Sequence, residues 1–170
     1  IITTERGLKI GLYGGFFQVD VKKVEQAVAE MKRQGAELIV MAIHWGIEGY
    51  YRPNTEQEQL AHQLIDLGVD IVYGSHPHVL QRVEQYNDGI IYYSLANFSF
   101  GGNHFPRDMD TVILQQQVLR KKDGTVTLGT LTPIPACVSS QRPQNDFQPT
   151  PYKEGTEDYT RVLQKLELEE

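Results

Sequence analysis

Two histidines separated by a proline, His76-Pro77-His78, form the sharpest chemical signal in the sequence. Residues two apart in an extended segment project to the same side, and Pro77 biases His76 toward the extended region, so two imidazoles are expected to face one small volume. Neutral imidazole is a good ligand for zinc, iron or manganese. A third histidine, His44, ends the apolar run Leu38-Ile39-Val40-Met41-Ala42-Ile43, and its place at a strand end is expected to bring all three rings together. Taken alone, a His-Pro-His tripeptide reads more readily as a rigid loop with surface histidines; His44 at an equivalent strand end reverses this in favour of a metal site.

The elements that must position these rings follow from periodicity. Leu8 to Tyr13 reads as a strand, broken by Gly14-Gly15. Asp20 can cap a helix whose apolar positions Val21, Val24, Ala27, Val28 and Met31 recur at i, i+3, i+4 and i+7, with Gly35 as its stop. The 38–43 run, rich in β-branched residues, suits a strand buried on both faces of a parallel sheet. Asn54 or Thr55 starts a second helix with a stripe of Leu60, Ala61, Leu64, Ile65 and Leu67, stopped by Gly68. Val69 to Tyr73 repeats the buried-strand signal and ends in Gly74-Ser75-His76.

This β-α-β-α-β order favours a mainly parallel sheet with right-handed crossovers, whose ligand-binding edge lies at the C-terminal ends of the strands. Antiparallel texture then takes over. Leu80 to Tyr86 and Ile90 to Leu95 flank Asn87-Asp88-Gly89, and Thr111 to Leu119 and Thr125 to Leu131 flank Asp123-Gly124, which gives two hairpins. Pro133 to Pro151 is expected to be irregular, and a terminal helix is expected over about Thr156 to Leu166. The fold class is α/β with an α+β mixture, in one domain over 1–170.

Composition excludes several functions. A net charge of −6 with no Lys/Arg-rich stretch argues against nucleic acid, and a polyanionic partner would need a local positive centre. The single cysteine, Cys137, excludes an internal disulfide and a thiolate zinc site. No apolar run approaches the roughly 20 residues that cross a bilayer. The opening Ile1-Ile2-Thr3-Thr4 leads straight into a strand without a cap, which suggests a piece of something longer.

Several stretches together carry a family resemblance: His44-Trp45-Gly46-Ile47-Glu48, Pro53, Leu64 to Asp70, Gly74-Ser75-His76-Pro77-His78-Val79-Leu80-Gln81 and Tyr93-Ser94-Leu95-Ala96-Asn97-Phe98. In order and spacing they resemble the C-terminal portion of bacterial poly-γ-glutamate capsule biosynthesis (CapA-like) proteins, relatives of calcineurin-type metallophosphoesterases. That family reads His-Trp-Gly-x-Glu, a helix, Gly-His-His-Pro-His-Val, then Tyr-Ser-Leu-Gly-Asn-Phe. Ser75 stands where it commonly has histidine, Gly49 where it has tyrosine and Ala96 where it has glycine. Its upstream Gly-Asp and Asn-Asn-His elements have no match here. Gly102-Asn103-His104 spells a metallophosphoesterase Gly-Asn-His signature but follows the His-x-His element instead of preceding it, so it reads as a glycine-rich loop or as a chance neighbour of the site.

The resemblance implies a metallophosphoesterase-like sandwich of two sheets flanked by helices. It also implies a dinuclear centre of divalent zinc, manganese or iron, with His44, His76 and His78 among the ligands and at most one metal held by this stretch alone. Glu48 is then a candidate to orient a ligand or act as a base, Asn97 to bond to substrate or to a ligand, and Arg52 to pair with an anionic substrate. Each has a plainer reading: an exposed loop carboxylate, a turn cap, and a side chain packed beside Tyr50 and Tyr51. Trp45 is expected in the core and His62 on the solvated face of its helix. The expected activity is metal-dependent hydrolysis or transfer on a phosphoester or on the polyglutamate chain, incomplete in this stretch. The alternatives are a non-catalytic polymer-binding component working with other capsule synthesis proteins, and a structural domain with an accidental histidine cluster. An extracellular, membrane-anchored setting follows from the family alone, through a segment outside this sequence.

Overall fold

A computed structural model of the chain describes residues 1–168. In chain order the elements are β1 (Ile2–Thr3), β2 (Lys9–Phe16), α1 (Val21–Arg33), β3 (Leu38–His44), α2 (Thr55–Asp66), β4 (Ile71–Ser75), β5 (Leu80–Tyr86), β6 (Gly89–Leu95), β7 (Asp110–Arg120), β8 (Val126–Cys137), β9 (Thr150–Pro151) and α3 (Glu157–Leu166). Six strands form one mixed sheet in the order β1-β2-β3-β4-β6-β5, and β7-β8-β9 form a second, antiparallel sheet. The class is mixed α/β, with β2, β3 and β4 parallel and the β5–β6 hairpin joined to them through a parallel β4–β6 pairing.

Both crossover helices start and stop where their caps dictate. The Asp20 carboxylate accepts from the Lys22 and Lys23 amides, and Asn54 forms a reciprocal capping box with Gln57. Gly35 and Gly68, at φ +88° and +94°, close the two C-termini: the amides of Ala36 and Val69 reach back to the carbonyls of Met31 and Leu64. The buried stripes Val24, Val28, Met31 and Ala61, Leu64, Ile65 cover one face of the large sheet over Ile39, Met41, Ile43, Val72, Ile91 and Tyr93. On the other face, Leu38, Ile71, Ile90 and Tyr92 meet Leu114, Val118, Leu128 and Leu131 of the small sheet.

The structure departs from the sequence-based expectations at four places. Gly14-Gly15 does not break the first strand: β2 runs on to Phe16, paired with His44. A Cβ at Gly15 would lie 2.9 Å from side-chain atoms of Met41 and Val19, so glycine lets this part of the strand pack closely. The third parallel strand begins at Ile71 instead of Val69, because Val69 is still part of the α2 cap and Asp70 spans the junction, its carboxylate accepting from the Ile39 amide at 2.6 Å.

The 133–151 stretch is not wholly irregular. β8 continues through Pro133 and Pro135 to Cys137, opposite Leu114 and Val112 of β7. Proline lacks the N–H that a ladder needs. The Pro135 carbonyl accepts from the Tyr152 amide on the outer side, so the missing donor also faces outward and the β7 pairing is spared. Finally, His62 is half-buried rather than solvated. Its ring stacks on Tyr86 at 3.9 Å and its Nε2 lies 2.9 Å from Glu84, which also accepts from the Tyr93 hydroxyl and pairs with Arg82. Among the described residues, no helix is long and apolar enough to cross a membrane.

Candidate metal centre

β3 and β4 end side by side, with His44 opposite Ser75, and the chain segments that leave them are tied together. The Trp45 amide donates to the Ser75 carbonyl at 3.1 Å and the Gly49 amide to the Pro77 carbonyl at 2.8 Å. Below them the buried Trp45 ring donates its Nε1–H to the Tyr93 carbonyl at 2.9 Å. That bond crosses Gly74, where a Cβ would sit 2.1 Å from the Tyr93 oxygen and 2.2 Å from Trp45 Nε1, so no side chain is compatible with it. A buried amide relay fixes the same loop from the other side: Gln81 donates to the Tyr50 carbonyl and accepts from Gln57, the residue that completes the α2 capping box.

This framework brings Glu48, His76 and His78 together, with one ligand atom from each lying within 4.8 Å of the other two. The local reason is not the extended His-Pro-His segment expected from sequence. His76 and His78 have φ of +100° and +56°, so the chain turns tightly between β4 and β5. Left-handed backbone at a residue with a Cβ costs about 1–2 kcal/mol, and here it is held by the buried Pro77 and Val79 and by the Gly49–Pro77 bond. Such over-determined strain concentrates at functional sites.

His78 is oriented. Its Nδ1 lies 2.6 Å from Asn97 Oδ1, an oxygen that can only accept, so Nδ1 carries a proton, and Nε2, the nitrogen left for a ligand role in the neutral ring, faces Glu48 4.0 Å away. A polar group that fixes the tautomer of a histidine in this way is the usual support of a metal ligand. Asn97 follows Ala96, whose φ of +61° is the left-handed geometry that glycine would adopt without strain.

His44 stands beside this group and outside it. Its ring centroid is 4.6 Å from that of His76, it stacks on Phe16 at 5.0 Å, and its Nδ1 is 3.4 Å from the Ser75 hydroxyl. Partial burial and the neighbouring His44 and His78 rings hold His76 below the ordinary imidazole pKa, with Glu48 opposing, so the ring is neutral near pH 7 and available as a ligand.

The donor set fits a divalent cation. Nitrogen and oxygen ligands about 2.0–2.2 Å from zinc lie about 3.4 Å apart at a tetrahedral angle. The donor atoms, all within 4.8 Å of one another, stand on an exposed Glu48 side chain and two half-buried rings that can rotate to close this gap.

A cleft of about 410 Å³ opens beside His78, lined by Glu48, Asn97, Phe100, Asn103, Arg107 and Asp108 among others. Arg52 is exposed and does not line it, whereas Arg107, which no sequence pattern singled out, does. Gly102 and Asn103 also border the cleft, while His104 is exposed with its ring against Phe147. Trp45 is buried in the core, 3% exposed, and is therefore no substrate platform.

Residues 4–102 match the family model of the bacterial capsule synthesis protein PGA_cap. The chain is 39% identical over 108 residues to capsule biosynthesis protein CapA of Bacillus anthracis, a match covering 64% of this chain and 25% of that protein. It is 42% identical over 98 residues to PGA biosynthesis protein CapA of Bacillus subtilis (strain 168), covering 58% of this chain and 25% of that one. The match thus spans about a quarter of the length of these curated relatives. Because the family model covers more than half of the chain and includes His44, Glu48, His76, His78 and Asn97, the chain belongs to the bacterial capsule synthesis protein family.

Proposed function

We propose that this chain carries one half of a divalent-metal centre, built from Glu48, His76 and His78 with His44 alongside, in a capsule biosynthesis protein that acts as a metal-dependent hydrolase or transferase on an anionic substrate. The observation that carries this reading is the convergence of three donor atoms from the 45–50 loop and the 76–79 turn, with Asn97 fixing the tautomer of His78. Zinc, manganese or iron suits an imidazole and carboxylate set. Bound there, such a cation supplies Lewis acidity and an activated water. The chain's own residues hold the cation, orient the His78 ring through Asn97 and offer Glu48 as ligand or base. The name of the Bacillus subtilis relative makes poly-γ-glutamate the first substrate to try, and a phosphoester the second. Anchoring at the outer face of the membrane, through a segment outside this sequence, and assembly with other capsule synthesis proteins belong to the same proposal.

A second reading, a non-catalytic polymer-binding component, is favoured by the modest donor count: Glu48 is the one carboxylate in the described cluster, which leaves no bridge to a second metal from these residues. Calorimetric titration with zinc and with manganese tests what the two readings share. One equivalent bound at micromolar metal, lost in the His76→Ala/His78→Ala double variant, is expected; no binding, or equal binding by the variant, removes the proposal. Turnover of γ-glutamyl oligomers or phosphoesters by the full-length relative then separates enzyme from binding component.

A further inference from the structure

Arg107 lies beyond the stretch that matches the family, yet its side chain borders the same cleft as Glu48, His78 and Asn97. Its guanidinium sits over the backbone of Gly49, where a Cβ would come within 3.1 Å of Nη1. Gly49, at φ +75°, stands where the resembled family pattern has tyrosine, so the space that a ring would take is filled here by a cation from another loop.

The charge is unspent. Among the described residues Arg107 forms no ion pair, and the neighbouring Asp108 is engaged by Lys165 at 2.5 Å and by the Tyr51 hydroxyl at 2.9 Å. A planar fork of N–H donors free on a cleft wall matches the two oxygens of a carboxylate or phosphoryl group. Arg107 is the single arginine or lysine among the residues lining the cleft, and of the two carboxylates there Asp108 is already neutralised by Lys165, which leaves Arg107 to face Glu48 and an incoming anion.

We propose that Arg107 is the anion-recognition residue of this cleft, clamping an oxyanion of the substrate while the neighbouring part of the substrate faces His78 and Glu48. The placement of the substrate rests on the metal-centre reading; the anion site itself does not.

The test therefore runs without metal. The 170-residue chain is titrated separately with inorganic phosphate and with glutarate, and the amide shifts of Gly102 and Asn103 and the side-chain N–H of Arg107 are followed by NMR. Saturable millimolar binding of at least one anion is expected, weakened about tenfold or more by Arg107→Gln and less by Arg107→Lys, as for loss of a charge-assisted bond. The tighter of the two anions identifies the substrate group as phosphoryl or carboxylate. Zinc affinity, measured in parallel, should not fall, because Arg107 supplies no metal ligand and its loss removes a nearby positive charge. Absence of saturation with both anions, or unchanged binding by a folded Arg107→Gln variant, overturns the proposal. Failure of zinc binding with anion binding intact overturns the metal centre instead.

Discussion

Replacing Asp110 by asparagine should destabilise the protein by about 2–3 kcal/mol, and the effect should vanish in acid. Asp110 heads β7 with its side chain only 2% exposed. Its Oδ1 accepts from Arg161 Nη2 at 2.7 Å and the Tyr152 hydroxyl at 2.9 Å; its Oδ2 accepts from Arg161 Nε and Lys165 Nζ, both at 2.7 Å. Burial alone would raise the carboxyl pKa, but these donors override it and lower it from 3.8 to about 2. That drop corresponds to about 2.5 kcal/mol of linked stability.

The folded value lies below the unfolded one, so the contribution is complete above about pH 4 and is lost as pH falls through about 2. Asparagine also turns an amide donor toward two cations. Stranding a partner in a fully buried pair costs about 3–5 kcal/mol, but Arg161 is 39% exposed and water takes up part of its loss. Urea unfolding of both proteins from pH 7 down to pH 2 is the assay. A gap of about 2–3 kcal/mol at pH 7 that closes toward pH 2 is expected. A gap under about 0.5 kcal/mol, the size of an ordinary surface substitution, or one independent of pH, refutes the reasoning.

Other consequences are as direct. Ala96→Gly relieves a residue at φ +61° and should raise stability by about 0.5–1 kcal/mol in urea melts; a loss would show that the backbone is not strained there. Gly74→Ala places a methyl on the Trp45–Tyr93 bond and should cost about 2 kcal/mol or more, with a red-shifted emission from Trp45, the single tryptophan; unshifted emission would contradict the close approach. Asn97→Ala frees the His78 ring and should weaken zinc or manganese binding about 10- to 100-fold while changing stability by less than about 1 kcal/mol; unchanged affinity would deny the positioning role.

The parallel core was legible because its signals are local. Asp20, Asn54, Gly35 and Gly68 mark both helices to within a residue, and the run before His44 has the uniform apolarity of a doubly covered strand. Signals that depend on tertiary partners were not legible. Pro133 and Pro135 look like breakers until the Pro135 carbonyl is seen to face outward, and Gly14-Gly15 looks like a turn until Met41 and Val19 fill the space beside it. At the site, residue types led to His76, His78 and Glu48. The geometry that joins His76 to His78 places both at positive φ, against the extended backbone that a following proline favours at His76. Arg107 carried no sequence signal, because a lone arginine in a Gly/Asn/Pro loop has no period and its meaning depends on Gly49, far away in the chain.

The most direct test of the proposed metal centre is long-range proton–nitrogen NMR of the five imidazoles during a zinc titration. A ring nitrogen of His76 and Nε2 of His78 should move to metal-bound shifts at one equivalent, with His78 Nδ1 still protonated and His62 and His104 unmoved. Zinc-induced shifts at His62 or His104 in place of these two, or no shift at His76 and His78, would contradict the account.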